Sequence, residues 1–158
     1  MKTDHVDLVQ LHTCNVEVLK RGEAIDVLLN ANRPGKTRFG YSGDNETALW
    51  AVESGLFDTL QTSFNVVDQH ARTKLFGRVK AKDLGLIIKR PISKGVWGVS
   101  AGASSYPQQL FRRAQAMANQ GPVAEVPDDP VQLALGFVMP HEEVDTAIVG
   151  TNNPAHMT

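Results

Sequence analysis

Two patterns of apolar and polar positions alternate along the chain. Short runs of strand length, rich in Val, Leu and Ile, are separated by longer stretches whose apolar residues recur at helical spacing. The run over 6–12 predicts a first strand, and 16–32 predicts a helix stopped by Pro34 and Gly35. A weaker strand at 37–42 precedes a helix carrying Ala48, Leu49, Val52 and Leu56 on one stripe, with Asp44 or Asn45 as its cap. A third strand at 59–64 leads to a basic-faced helix over 70–83. Leu86, Ile87 and Ile88 mark a fourth strand over 85–90, halted by Pro91. After a Gly- and Ser-rich loop over 93–106 come a helix over 108–118 and another opened by Asp128, Asp129 and Pro130, proline being preorganised for a first helical turn. The last strand covers 144–149.

The expected fold class is therefore α/β: about five strands joined by helices, forced parallel because each crossover returns the chain to the same end. Residues 1–158 form a single domain in this reading. Spacing alone favours an open, doubly wound sheet, since a complete (β/α)8 barrel takes roughly 250 residues. Chemistry in parallel α/β folds gathers at the C-terminal ends of the strands. Those ends carry His12, then 42–45, Gln61 and Asn65, Lys89 and Arg90, and 150–153. Hydrogen-bonding groups, a histidine, two cations and a Gly-Thr turn before a helix start suit an anionic cofactor.

Composition narrows the partners. With 16 basic and 17 acidic residues and a formal charge of −1, no blanket basic surface exists to support nucleic-acid binding. No apolar run reaches the ~18 residues of a membrane span. One cysteine, Cys14, excludes an intramolecular disulfide and fits a reducing, cytoplasmic setting. His5, His70, His141 and His156 are scattered without the paired spacing of a metal site. A Cys14 nucleophile beside His12 would need a lowered thiol pKa and finds no third group; a packed structural thiol is the plainer reading. The stretch 141–143 reads as a solvated turn, and 98–105 lacks the Gly-Lys-Ser/Thr ending of a phosphate loop. Trp50 reads as core, and Trp97 is equally suited to packing or to facing a ligand.

Particular residues carry a family resemblance. The segment 6–12 resembles the fourth barrel strand of the aldo-keto reductases, which ends in a catalytic histidine. Gly35, Lys36, Thr37, Arg38, Gly40 and Ser42 are similar to the fifth-strand pattern of that family. Gln61, Phe64 and Asn65 match its sixth-strand Gln-x-x-(Tyr/Phe)-Asn, and Lys89, Arg90 and Pro91 stand where its seventh strand meets the cofactor-clasping loop. The segment 146–156 resembles the eighth strand and the start of the phosphate-binding helix.

The resemblance implies strands four to eight of a (β/α)8 TIM barrel, a partial barrel truncated at both ends, in place of the doubly wound sheet. The aspartate, tyrosine and lysine of the family's catalytic set lie on its second and third strands, before Met1, so His12 alone matches that set. Ser42 and Gln61 would hold the nicotinamide carboxamide of NADP(H). Lys89, Arg90 and Pro91 would clasp the cofactor, and Gly150, Thr151 and Asn153 would approach its phosphate. Three departures stand out: Gly43 replaces the usual asparagine, Lys89 replaces an aromatic, and the fifth strand is one residue short. A one-residue slip would reverse which of its side chains face inward. The resulting expectation is an oxidoreductase fragment with weak or lost NADP(H) binding and no independent carbonyl reduction. The alternatives are a non-catalytic oligomerising module, or one part of a reductase completed in trans, with a small carbonyl substrate only then. A homodimer or a complementing chain is expected at the exposed barrel edges.

Overall fold

The computed structural model describes residues 5–31, 37–96, 107–151, 153 and 155. Strands β1 (Leu8–His12), β2 (Arg38–Ser42), β3 (Thr59–Ser63), β4 (Gly85–Lys89) and β5 (Thr146–Ile148) form one five-stranded sheet in the order β1-β2-β3-β4-β5. All four pairings are parallel. A doubly wound sheet reverses its strand order at a switch point; this order runs in one direction, as in a barrel. The arrangement preferred from spacing alone is thus corrected, because chain length fixes the number of strands and not the side to which each crossover turns. The sheet is open, with β1 and β5 each hydrogen-bonded to one neighbour.

Side chains alternate across the sheet. Phe39, Tyr41, Leu60, Leu86 and Ile88 enter a buried core with Leu19, Ile25, Ala48, Val52, Leu75, Phe76, Val79 and Val138 from the helices. Each large side chain buried there contributes about 1.5–3 kcal/mol. The opposite, inner face follows from the register: His12, Ser42, Gln61, Ile87 and Thr146 form one row, and Ser63, Lys89 and Ile148 the next. Ser42 therefore points inward although β2 is a residue short, so the slip has not turned it. Two carboxylates peg this register at the other end of the sheet. Asp58 Oδ2 accepts from Phe39 N at 2.8 Å and Asp145 Oδ2 from Leu86 N at 2.6 Å.

Several elements differ in detail from expectation. The helix foreseen over 16–32 is two, α1 (Val16–Arg21) and α2 (Glu23–Ala31), because Gly22 takes φ +79° and closes α1. Helix α3 (Asn45–Ser54) stops before Leu56, which is exposed. Asp44 holds its N-cap position but makes no side-chain cap bond. The basic helix is a π segment (Arg72–Phe76) running into α4 (Gly77–Ala81). Helices α5 (Pro107–Ala118) and α6 (Pro130–Val138) lie where predicted, with Asp129 accepting from Val131 N and Gln132 N.

His141 is not a solvated group. Its ring sits among Phe64, Phe76 and Phe137, with centroids 4.9, 5.9 and 5.7 Å away. Beside it, Glu142 is exposed and ion-pairs with Lys80 at 2.8 Å. Cys14 and Trp50 pack against the core, and burial raises the Cys14 thiol above its ordinary pKa, which fits the structural reading. No helix among the described residues is long and apolar enough to cross a membrane. The stop at Pro34 and Gly35, Lys36, Trp97, the glycines of 98–105, Asn152, Pro154 and His156 lie outside the described residues.

Candidate cofactor site at the strand ends

Ser42, Gln61 and Lys89 of the sequence reading share the inner face at the C-terminal end of the sheet, and Arg90 directly follows β4. Gln61 Nε2 donates to Ser42 Oγ at 3.2 Å across adjacent strands. Gly43 is explained by the residue two places before it. A Cβ at position 43 would lie 2.6 Å from the Tyr41 hydroxyl and 2.7 Å from Cζ. Tyr41 is fully buried and donates to Cys14 O at 3.2 Å, so its ring cannot withdraw. Restoring the family residue by Gly43→Asn is expected to destabilise the fold by about 1–3 kcal/mol through overpacking. Urea unfolding measures it, and an unchanged midpoint would count against this account.

Lys89 and Arg90 meet at Asp44, which the sequence reading took as a helix cap and as one of the polar residues at the strand ends. Asp44 Oδ2 lies 3.3 Å from Lys89 Nζ and 3.2 Å from an Arg90 guanidinium nitrogen. Asp44 Oδ1 accepts from Ser63 N at 2.8 Å and Thr62 Oγ1 at 3.0 Å. The same Arg90 nitrogen donates to Ser63 Oγ at 2.7 Å. Arg90 has φ +60°, a left-handed conformation that costs a non-glycine residue energy. Asn65, 1% exposed, secures the turn by donating Nδ2 to Arg90 O at 3.1 Å. A signal for Asp44 existed: it follows the strand-end serine by two residues, in a fold that brings all strand ends together.

Electrostatics follow from these contacts. Burial pushes the Asp44 pKa up, but the Ser63 N–H, the Lys89 ammonium and the Thr62 hydroxyl outweigh it and hold the carboxyl below its ordinary value. Burial lowers the Lys89 pKa, with Asp44 opposing that shift. Because the folded pKa of Asp44 is depressed, its contribution to stability is complete above the unfolded carboxylate value of about 4 and is lost as pH falls through the folded one. Asp44→Ala is expected to cost about 1.5–3 kcal/mol near neutral pH, the range for hydrogen bonds to charged groups. It should also flatten the acid limb of stability against pH. Thermal unfolding across acid pH tests both, and an unaltered acid limb would refute the assignment.

A cleft of about 430 Å³ opens beside this network, lined by Lys89, Arg90, Pro91, Ile92, Ile148, Val149 and Gly150. A Cβ added at Gly150 would meet nothing within 4 Å, so space is not what requires glycine there. Thr151 and Asn153 are exposed and occupied in a local turn, in which Asn153 N donates to Thr151 Oγ1 at 3.1 Å and Ala155 N to Asn153 Oδ1 at 3.1 Å; neither lines the cleft. His12 ends β1 at the free edge of the sheet and is exposed. Among the described residues, no group of three or more His, Cys, Asp or Glu side chains could hold a metal.

The model of the aldo/keto reductase family matches residues 1–158. The chain belongs to the aldo/keto reductase family. Solved structures similar to it include the aldo-keto reductase AKR11C1 from Bacillus halodurans in its holo form, at 17% identity and a TM-score of 0.72. The apo form of that protein aligns at 16% identity and 0.74. The glycerol dehydrogenase AKR11B4 from Gluconobacter oxydans aligns at 14% and 0.71. Each alignment covers 99% of this chain but 54%, 55% and 53% of those structures in turn. The chain thus spans about half the length of the structures it matches, and its open sheet corresponds to part of a barrel. A search of curated proteins found no match.

Proposed function

We propose that this chain is the cofactor-holding part of an aldo-keto reductase barrel, with weak residual NADP(H) affinity and no carbonyl reduction of its own. The observation that carries the reading is that the Ser42–Gln61 pair and Lys89, which lines the cleft with Arg90 and Gly150, lie in neighbouring rows of one face at one end of the sheet. The residues fit the group in part. Two cations against one carboxylate leave a net positive charge beside a cleft with room for a phosphate. Ser42 and Gln61 offer the hydroxyl and amide that a carboxamide needs, but they are bonded to each other and must exchange partners.

Lys89 and Arg90 would neutralise phosphate oxygens, and Ser42 and Gln61 would orient the nicotinamide ring. When bound, such a cofactor supplies a hydride to a carbonyl carbon. His12 would orient the carbonyl oxygen, but among the described residues no side chain hydrogen-bonds its ring to fix it. A cytoplasmic setting, supported by the single free thiol, belongs to the same proposal. Fluorescence titration with NADPH tests the reading. The expected result is weak saturable binding that Lys89→Ala with Arg90→Ala abolishes; equal affinity in the double variant would overturn the assigned phosphate side.

A further inference from the structure

Asp44 is bound as an anion ligand would be. Its two carboxylate oxygens take the Ser63 N–H, the Thr62 hydroxyl, the Lys89 ammonium and an Arg90 guanidinium nitrogen, all within 2.8–3.3 Å. The carboxylate does not serve its own helix, since α3 receives no side-chain cap from it. The turn that delivers Arg90 is held against its backbone preference by Asn65. Both cations it ties down also line the open cleft next to Ile148 and Gly150. We propose that Asp44 is a built-in competitor for the anion site of this cleft, so that a phosphate-bearing ligand binds only by displacing it from Lys89 and Arg90. The site then favours polyanions such as a pyrophosphate group, which offer two cations more charge than one carboxylate does, and rejects monoanions. The proposal rests on the cofactor reading for the location of the phosphate, but it concerns the chain's own residues.

The experiment is calorimetric titration of the full chain with inorganic pyrophosphate at constant ionic strength. Asp44→Asn, which keeps an oxygen acceptor, and Asp44→Ser, which puts a favoured N-cap residue at the start of α3, should each bind pyrophosphate about tenfold more tightly than the unmodified chain, the size of one modest charge contact. Glu46→Gln makes the same change in net charge at an exposed position two residues on and should leave affinity within about twofold. Equal gains in all three variants would show a general charge effect and overturn the proposal, as would no gain at position 44. If neither Asp44 variant folds, the unmodified chain decides by carbon-13 NMR: millimolar pyrophosphate should move the Asp44 carboxyl signal, and an unmoved signal overturns the proposal. A chain that fails to bind NADPH, while Asp44→Asn binds pyrophosphate as expected, would remove the cofactor reading and leave this one standing.

Discussion

Purified by itself, the 158-residue chain is expected to sediment as a dimer. Strands β1 and β5 each have one free edge, and the inner face between them carries Leu8 and Ile87, half-buried, and Ile148, 49% exposed. Neither edge strand contains the lysine or proline that natural edges use against pairing. Each large aliphatic side chain left wet forgoes about 1.5–3 kcal/mol, against a total stability of ~5–15 kcal/mol. Leu8→Lys and Ile148→Lys should therefore each weaken the dimer roughly tenfold or more. Sedimentation of a folded monomer at high concentration, with both variants indistinguishable from it, would refute the expectation.

The second large effect is on chemistry. With NADPH and a simple aldehyde, this chain alone should show no turnover. A positioned general acid is worth ~10²–10⁴ in rate, and of the family's acid–base set the sequence resemblance assigns only His12. That residue stands exposed on the last position of an edge strand. Hydride transfer also demands reacting atoms held about 3–3.5 Å apart and aligned, and an open sheet offers no second wall against which to hold them. A steady-state assay decides: turnover near the ordinary enzyme value of roughly 10 s⁻¹ would contradict the account.

Strand number, parallel direction and the meeting of the strand ends were legible because near-continuous apolar runs such as 86–88 mark the strands of a parallel sheet covered on both faces, and helical crossovers fix direction. Winding was not legible from spacing, since one-way and two-way sheets share the same alternation of elements. The break at Gly22 was hidden because Leu19 and Ile25, on either side of it, continue one apolar stripe into the same core. For the site, residue type sufficed to choose Ser42, Gln61, Lys89 and Arg90. It failed for Asp44, which satisfies the sequence rule for a helix cap while its carboxylate lies between Thr62, Ser63, Lys89 and Arg90. A local rule cannot see donors that lie 18, 19 and 46 residues away. His141 was missed for the same reason, since two of its three aromatic neighbours, Phe64 and Phe76, come from far earlier in the chain.

One face of this half-barrel, at one end, is the proposed cofactor site. Amide NMR of the nitrogen-15-labelled chain titrated with NADPH tests it most directly. The account predicts shifts concentrated at Ser42, Gln61, Lys89, Arg90 and Gly150, with α5 and α6 unmoved. Shifts gathered instead around the apolar groove of Val66, Met117 and Phe137, or no shifts at all, would contradict it.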